Sequence, residues 1–145
     1  MDGRPHGTFE MQQCGEVLLL RFMGSFNLEG ARRVTRGLQL FWHGCGAPAR
    51  WPVLADLREW EGATPDALSQ AAVSMRWMVE HGLAVEARVF STHFMARVLE
   101  QAPGMSVAPV PSINFDEAHI ACDWIESFGF DCDECRKLLG IKVPG

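Results

Sequence analysis

Near the end of the chain, Cys132-Asp133-Glu134-Cys135 forms a C-x2-C, and His119 and Cys122 stand three apart just before it. Read together as H-x2-C-x9-C-x2-C, these residues offer four ligands of the kind a tetrahedral zinc takes. Cys132 and Cys135 could instead form a redox pair. That chemistry wants a first thiol acidified at a helix N-terminus within a βαβ unit, and the intervening Asp and Glu raise thiol pKa values. A third reading needs no chemistry at all. Cys122 falls on the apolar side of its segment with Ala118, Ile125 and Phe128, where a buried free cysteine is common. A single C-x2-C decides between none of these.

The second locus is ADLREWEGATPDALS, from Ala55 to Ser69. Thr64 followed by Pro65 is a preferred helix start, with the hydroxyl accepting from a free backbone N–H. The same position would favour a phosphate, through the helix dipole and the free amides. Glu59, Glu61 and Asp66 would repel that phosphate, and Arg58 is the basic residue of the loop. Asp56 closes the strand that leads in. Trp60 in the loop and Trp77 on the following helix suggest a contact surface, since exposed tryptophans commonly mark one. The alternative is that Trp77 packs beneath a neighbouring helix. An exposed Trp and Met helix face would favour a homodimer, whereas Trp42 and Trp124 are assigned to the core.

No complete catalytic constellation accompanies these residues. GxSxG, HExxH and a glycine-rich phosphate loop are absent, and GCGAP at Gly44 to Pro48 is too short for a dinucleotide fingerprint. The expectation is therefore not an enzyme. A net charge of −5 and a pI near 5.5 disfavour a nucleic-acid partner, which needs a positive field. Arg32, Arg33 and Arg36 read most simply as the solvated face of one helix. No stretch approaches the roughly 18 apolar residues of a membrane span, and MDGRPHGTFEM has no apolar signal run. Five cysteines in a chain of 145 residues, long enough to stabilise itself by burial, suit a reducing, cytoplasmic compartment. Hydrophobic residues at 48% and charged residues at 21% fit one folded domain rather than disorder.

The elements that position these residues follow from periodicity and punctuation. Thr8 to Gln13 and Glu16 to Met23 (EVLLLRFM) flank the turn Cys14-Gly15 and form a hairpin. Gly24-Ser25-Phe26-Asn27 breaks the run, and Asn27 caps a helix from Leu28 to about Trp42 with apolar residues at helical spacing. Val53 to Leu57 is a third strand. Pro65 to Glu80 is a second helix, ended by His81-Gly82, and Ala84 to Phe90 is a fourth strand. Thr92 to Gln101 is a short helix. Ser106 to Val110 is a weak edge strand limited by prolines, and Asp116 to Phe128 is the last long helix. A polar tail with a short amphipathic turn, Cys135 to Leu139, follows. The order β-β-α-β-α-β-α-(β)-α predicts an α/β domain with a mixed four- to five-stranded sheet, an N-terminal β-hairpin and about four helices mainly on one face.

GSFNLEGA after the hairpin, VLADL followed by WEGATPDAL, HGL before AVEARVF, and NFDEAHIACDWIESFG together resemble the SpoIIAA-like group of the STAS domains. That group is related in fold to the lipid-binding SEC14 domains. The resemblance spans residues 8–129, leaving an arm at 1–7 and the C-x2-C tail at 130–145. In phosphoregulated STAS antagonists the strand ending in Asp-Leu is followed by Asp-Ser-Ser-Gly, whose serine a kinase modifies. Asp56-Leu57 matches that strand end, but Gly62-Ala63-Thr64-Pro65 stands in place of the tetrad.

Two functions follow as expectations. The STAS resemblance implies a non-enzymatic bacterial regulatory or adaptor module that binds a protein partner through Asp56, Glu59, Trp60, Glu61, Thr64, Asp66 and Trp77. The SEC14 kinship implies a carrier of a small apolar, lipid-like ligand in a pocket of several hundred Å3, lined by residues such as Phe22, Phe26, Met75 and Phe94. Neither needs a cofactor. Zinc at His119, Cys122, Cys132 and Cys135 is the one metal the sequence could accommodate.

Overall fold

The computed structural model describes residues 3–105 and 110–141. The chain runs β1 (Thr8–Cys14), β2 (Val17–Phe26), α1 (Leu28–Gly44), β3 (Trp51–Ala63), α2 (Pro65–Glu80), β4 (Leu83–Phe90), α3 (His93–Glu100), β5 (Ser112–Phe115), α4 (Ala118–Glu126) and α5 (Asp133–Leu138). The five strands form one sheet in the order β1-β2-β3-β4-β5, antiparallel between β1 and β2 and parallel thereafter. Each new strand adds to the same side of the sheet. With crossovers of constant hand, α1, α2 and α3 must therefore lie on one face.

Strand alternation sorts the core into two halves. Leu18, Leu20, Val53, Ala55, Leu57 and Phe90 pack with α1 to α3, whereas Val17, Leu19, Leu54, Val85, Ala87 and Val89 pack with α4 and α5. Central parallel strands are covered on both sides, so their sequences are nearly continuous apolar runs. The turn into β4 needs glycine for two reasons. Gly82 has φ +98°, and a Cβ there would lie 2.1 Å from the Ala49 carbonyl oxygen.

Three boundaries differ from the sequence expectation. β2 does not break at Gly24 but continues to Phe26, paired with an outer half of β3 that runs on to Ala63. The acidic loop is thus mostly strand. Register shifts in the β2–β3 ladder absorb the glycines, and the β3–β4 ladder ends at Leu57 opposite Phe90, so Arg58 to Ala63 extends as a ribbon with β2 alone. The third strand begins at Trp51 rather than Val53, so that Pro52 sits inside β3 beside a register shift in the β3–β4 ladder. The fifth strand is Ser112–Phe115; of the segment expected to form it, residues 106–109 lie outside the described residues.

Residues 130–141 do not stand apart. Phe130, Cys132 and Cys135 are buried in the second half of the core, because the chain after β5 crosses back over that face as far as β1. Polar ties hold it there. The Asp131 amide donates to Glu16 Oε2 at 2.9 Å, Arg21 Nη2 donates to the Leu138 carbonyl at 3.0 Å, and Arg50 stacks over the Phe130 ring at 4.5 Å. The N-terminal arm is tied as well. Asn27 Oδ1 accepts from the amides of Gly30 at 2.9 Å and His6 at 2.8 Å, while its Nδ2 donates to the Arg4 carbonyl at 2.7 Å.

Candidate functional site

Thr64 is the N-cap of α2. Its hydroxyl accepts from the Ala67 amide at 3.4 Å and donates to Asp66 Oδ1 at 2.5 Å, and the same Asp66 oxygen accepts from the Ala67 amide at 2.9 Å. The Thr64 amide donates to the Phe26 carbonyl at 3.1 Å, fixing the helix start to the end of β2. Thr64 and Asp66 are exposed, as are Glu59 and Glu61 on the outer half of β3. Glu59 and Glu61 thus bring two exposed carboxylates to the outer half of β3, and Thr64 and Asp66 an exposed hydroxyl and a third carboxylate to the first turn of the helix that follows it.

The other three residues expected at this surface lie elsewhere. Asp56 falls on the α4–α5 face of β3, where Arg58 Nε and Nη2 grip its carboxylate at 2.9 Å each and Arg21 Nε lies 3.9 Å away. Burial opposes its ionisation, but the hydrogen bonds from Arg58 outweigh that and hold the carboxyl below its usual range. Trp60 is buried against Phe90, with ring centroids 6.5 Å apart. Trp77 lies three turns along α2, about 18 Å from Pro65 at 1.5 Å per residue. It stacks on His81 at 4.3 Å and meets Trp42 edge-on at 5.5 Å. The half-buried Trp77 therefore belongs to an aromatic cluster at the far end of α1 and α2, which removes the helix face that favoured a homodimer.

The cysteines form different partnerships from those the spacing suggests. Cys14, Cys122, Cys132 and Cys135 are all buried free thiols. Cys132 contacts Cys122, and Cys135 contacts Cys14, so the two members of the C-x2-C face different partners. The contact with its neighbour and then burial push each of Cys132 and Cys135 well above the usual thiol range, while the same contacts lower Cys122 and Cys14, so the thiolate tendency falls on the partners and not on the C-x2-C itself. His119 points into solvent 3.5 Å from Glu117. Among the described residues, no three of His119, Cys122, Cys132 and Cys135 bring their ligand atoms within 4.8 Å of one another. Glu126, Asp131 and Asp133 do meet that distance, but Arg136 occupies the group, bonded to Glu126, Asp123 and Asp133.

A cavity of about 110 Å3 lies between the sheet and α1 to α3. Phe22, Phe26 and Met75 line it as expected, whereas Phe94 is 71% exposed and points away from the core. The volume is well below the several hundred Å3 a lipid-like ligand needs. Two charged residues also line it, and sequence reading missed both. Glu86 and Arg88 stand two apart on β4, on the side opposite Val85, Ala87 and Val89. Arg88 Nε donates to Glu86 Oε1 at 2.7 Å, and the Ser112 hydroxyl donates to the same oxygen at 2.8 Å. Arg88 Nη2 is buried with no hydrogen-bond partner. The available signal was an opposite-charge pair at i, i+2 inside the otherwise apolar LAVEARVF.

This mixed sheet, with three crossover helices on one face and the returning C-terminal helices on the other, is the SpoIIAA-like α/β fold. No family model and no curated protein matches the chain. It is similar to an uncharacterised protein of the DUF3478 family with a SpoIIAA-like fold from Shewanella loihica PV-4, at 16% identity and TM-score 0.58 over 86% of this chain and 97% of that one. It is also similar to the anti-sigma factor antagonist SpoIIAA in its unphosphorylated form, at 12% identity and TM-score 0.54 over 86% of this chain and 100% of the other. At these identities the likeness concerns the fold. No helix among the described residues is long and apolar enough to cross a membrane.

Proposed function

We propose that this chain is a non-enzymatic regulatory module that binds a protein partner through the edge formed by the outer half of β3 and the first turn of α2. The observation that carries this reading is the exposure of Glu59, Glu61, Thr64 and Asp66 on these two elements, in a fold shared with an anti-sigma factor antagonist. The ribbon Arg58 to Ala63 has no ladder partner on its β4 side among the described residues, so a partner strand or loop can approach it. Three carboxylates call for a partner with a basic surface, which would raise the association rate more than the final affinity. Thr64 acts as a structural cap in this reading. Five free thiols suit a reducing compartment, and the cytoplasm is the proposed location.

The test compares the wild type with Glu59→Lys/Glu61→Lys as bait, and then rebuilds any captured pair from purified components. A partner held by the wild type in a salt-sensitive way and lost by the double variant supports the reading. Equal retention by the two baits contradicts it.

A further inference from the structure

The buried pair on β4 points to a second property that does not depend on the docking edge. In a structural ion pair the donors and acceptors of both groups are satisfied, because the low-dielectric interior makes an unpaired polar atom costly. Glu86 fits this description, since it accepts from Arg88 and Ser112. Arg88 does not. Its side chain is 4% exposed, it lines the cavity, and its Nη2 has no partner. Arg88 thus brings to the cavity wall a buried donor without an acceptor.

Charge and volume narrow the chemistry of an acceptor for it. Glu86 already balances the guanidinium, so a second anion would place an uncompensated negative charge among Leu20, Phe26, Leu57, Trp60 and Met75. The acceptor must therefore be neutral. A cavity of about 150 Å3 lined by apolar side chains takes benzene, so about 110 Å3 suits a body of roughly five to six heavy atoms. We infer that this cavity is a binding site for a small uncharged apolar molecule carrying a single carbonyl-type oxygen, which accepts from Arg88 Nη2 while its hydrocarbon body packs between the sheet, α1 and α2.

The experiment is a protein-observed NMR titration of the full chain with three probes of similar size: cyclopentanone, methylenecyclopentane and cyclobutanecarboxylate. Cyclopentanone should shift the Leu20, Trp60, Met75 and Arg88 signals saturably. It should bind about tenfold or more tightly than methylenecyclopentane, the margin of a hydrogen bond to a charged donor. The carboxylate should bind most weakly. Arg88→Met alone strands Glu86, so the control is Glu86→Gln/Arg88→Met, which removes both charges at similar volume. That variant should still bind methylenecyclopentane and should lose the preference for the ketone. Equal binding of the first two probes, tightest binding of the carboxylate, or a preference that persists in the double variant each overturns the inference. So does a cavity that holds an ordered water on Arg88 and admits none of the probes.

Discussion

Arg88→Met should destabilise the fold more than Arg136→Met, although each guanidinium side chain is 4% exposed. The difference lies in the partners. Glu86 is 6% exposed, so removing Arg88 leaves a carboxylate in the interior with Ser112 as its remaining donor, a change that costs about 3–5 kcal/mol. The partners of Arg136 are Asp123, Glu126 and Asp133, at 67%, 35% and 51% exposure. Released from the arginine, they return to water. The loss is then a few weak surface pairs, each worth up to about 1 kcal/mol and screened by salt, and methionine replaces much of the packing of the aliphatic stem. About 1–2 kcal/mol is expected. Against a total of about 5–15 kcal/mol for a domain, only the first change threatens folding. The assay is urea denaturation followed by tryptophan fluorescence, comparing midpoints at a common slope. Glu86→Gln/Arg88→Met should recover most of what Arg88→Met loses. The reasoning is refuted if Arg136→Met costs as much as Arg88→Met, or if the double variant is no more stable than the single one.

Three further outcomes are expected. In Gly30→Ala the new Cβ would lie 1.9 Å from the His6 carbonyl oxygen, so the arm must lift. Despite the better helix propensity, about 1 kcal/mol of stability should be lost, and the His6 amide should lose its protection from hydrogen exchange. In thiol labelling under native conditions the half-buried Cys45 should react first, while Cys14, Cys122, Cys132 and Cys135 react at the rate of unfolding. Comparable native rates for all five thiols would contradict the buried pairing. The third outcome concerns acid. The hydrogen bond from Arg136 lowers the Glu126 carboxyl in the folded state, and Arg58 does so for Asp56 after burial is overcome. Both carboxyls bind protons more readily when unfolded, so their contribution is complete above the ordinary carboxylate range and is lost as pH falls through the folded values, which lie beneath that range. Glu126→Gln should flatten that acid limb without changing stability near neutrality by more than about 1 kcal/mol, as read from urea midpoints across pH.

Most of the fold was legible because the apolar periods of the elements are strong. Asn27 and Thr64 as caps, Gly82 as a helix stop and the hairpin around Gly15 are local signals that the tertiary structure obeys. The outer half of β3 was hidden because its polar residues look like a loop when only one neighbouring strand pairs with them. Trp60 misled for a related reason, and Trp77 was left open between a contact surface and packing beneath a helix. Their burial depends on Phe90 and on Trp42 with His81, contacts made across elements that no local pattern announces. The C-terminal cysteines suggested a ligand set because they are close in sequence, yet the return of the chain over the sheet pairs them with Cys14 and Cys122. Glu86 and Arg88 drew no notice because polar positions of an alternating strand ordinarily face solvent. In a sheet covered on both faces, that side is the cavity wall.

The central claim is the docking edge, and a hydrogen-exchange footprint of the complex rebuilt from purified partner and full chain tests it most directly. The account predicts new protection confined to residues 58–69, across the outer half of β3 and the start of α2. Protection confined to α4 and α5, or to the β1 edge, with residues 58–69 unchanged, would contradict it.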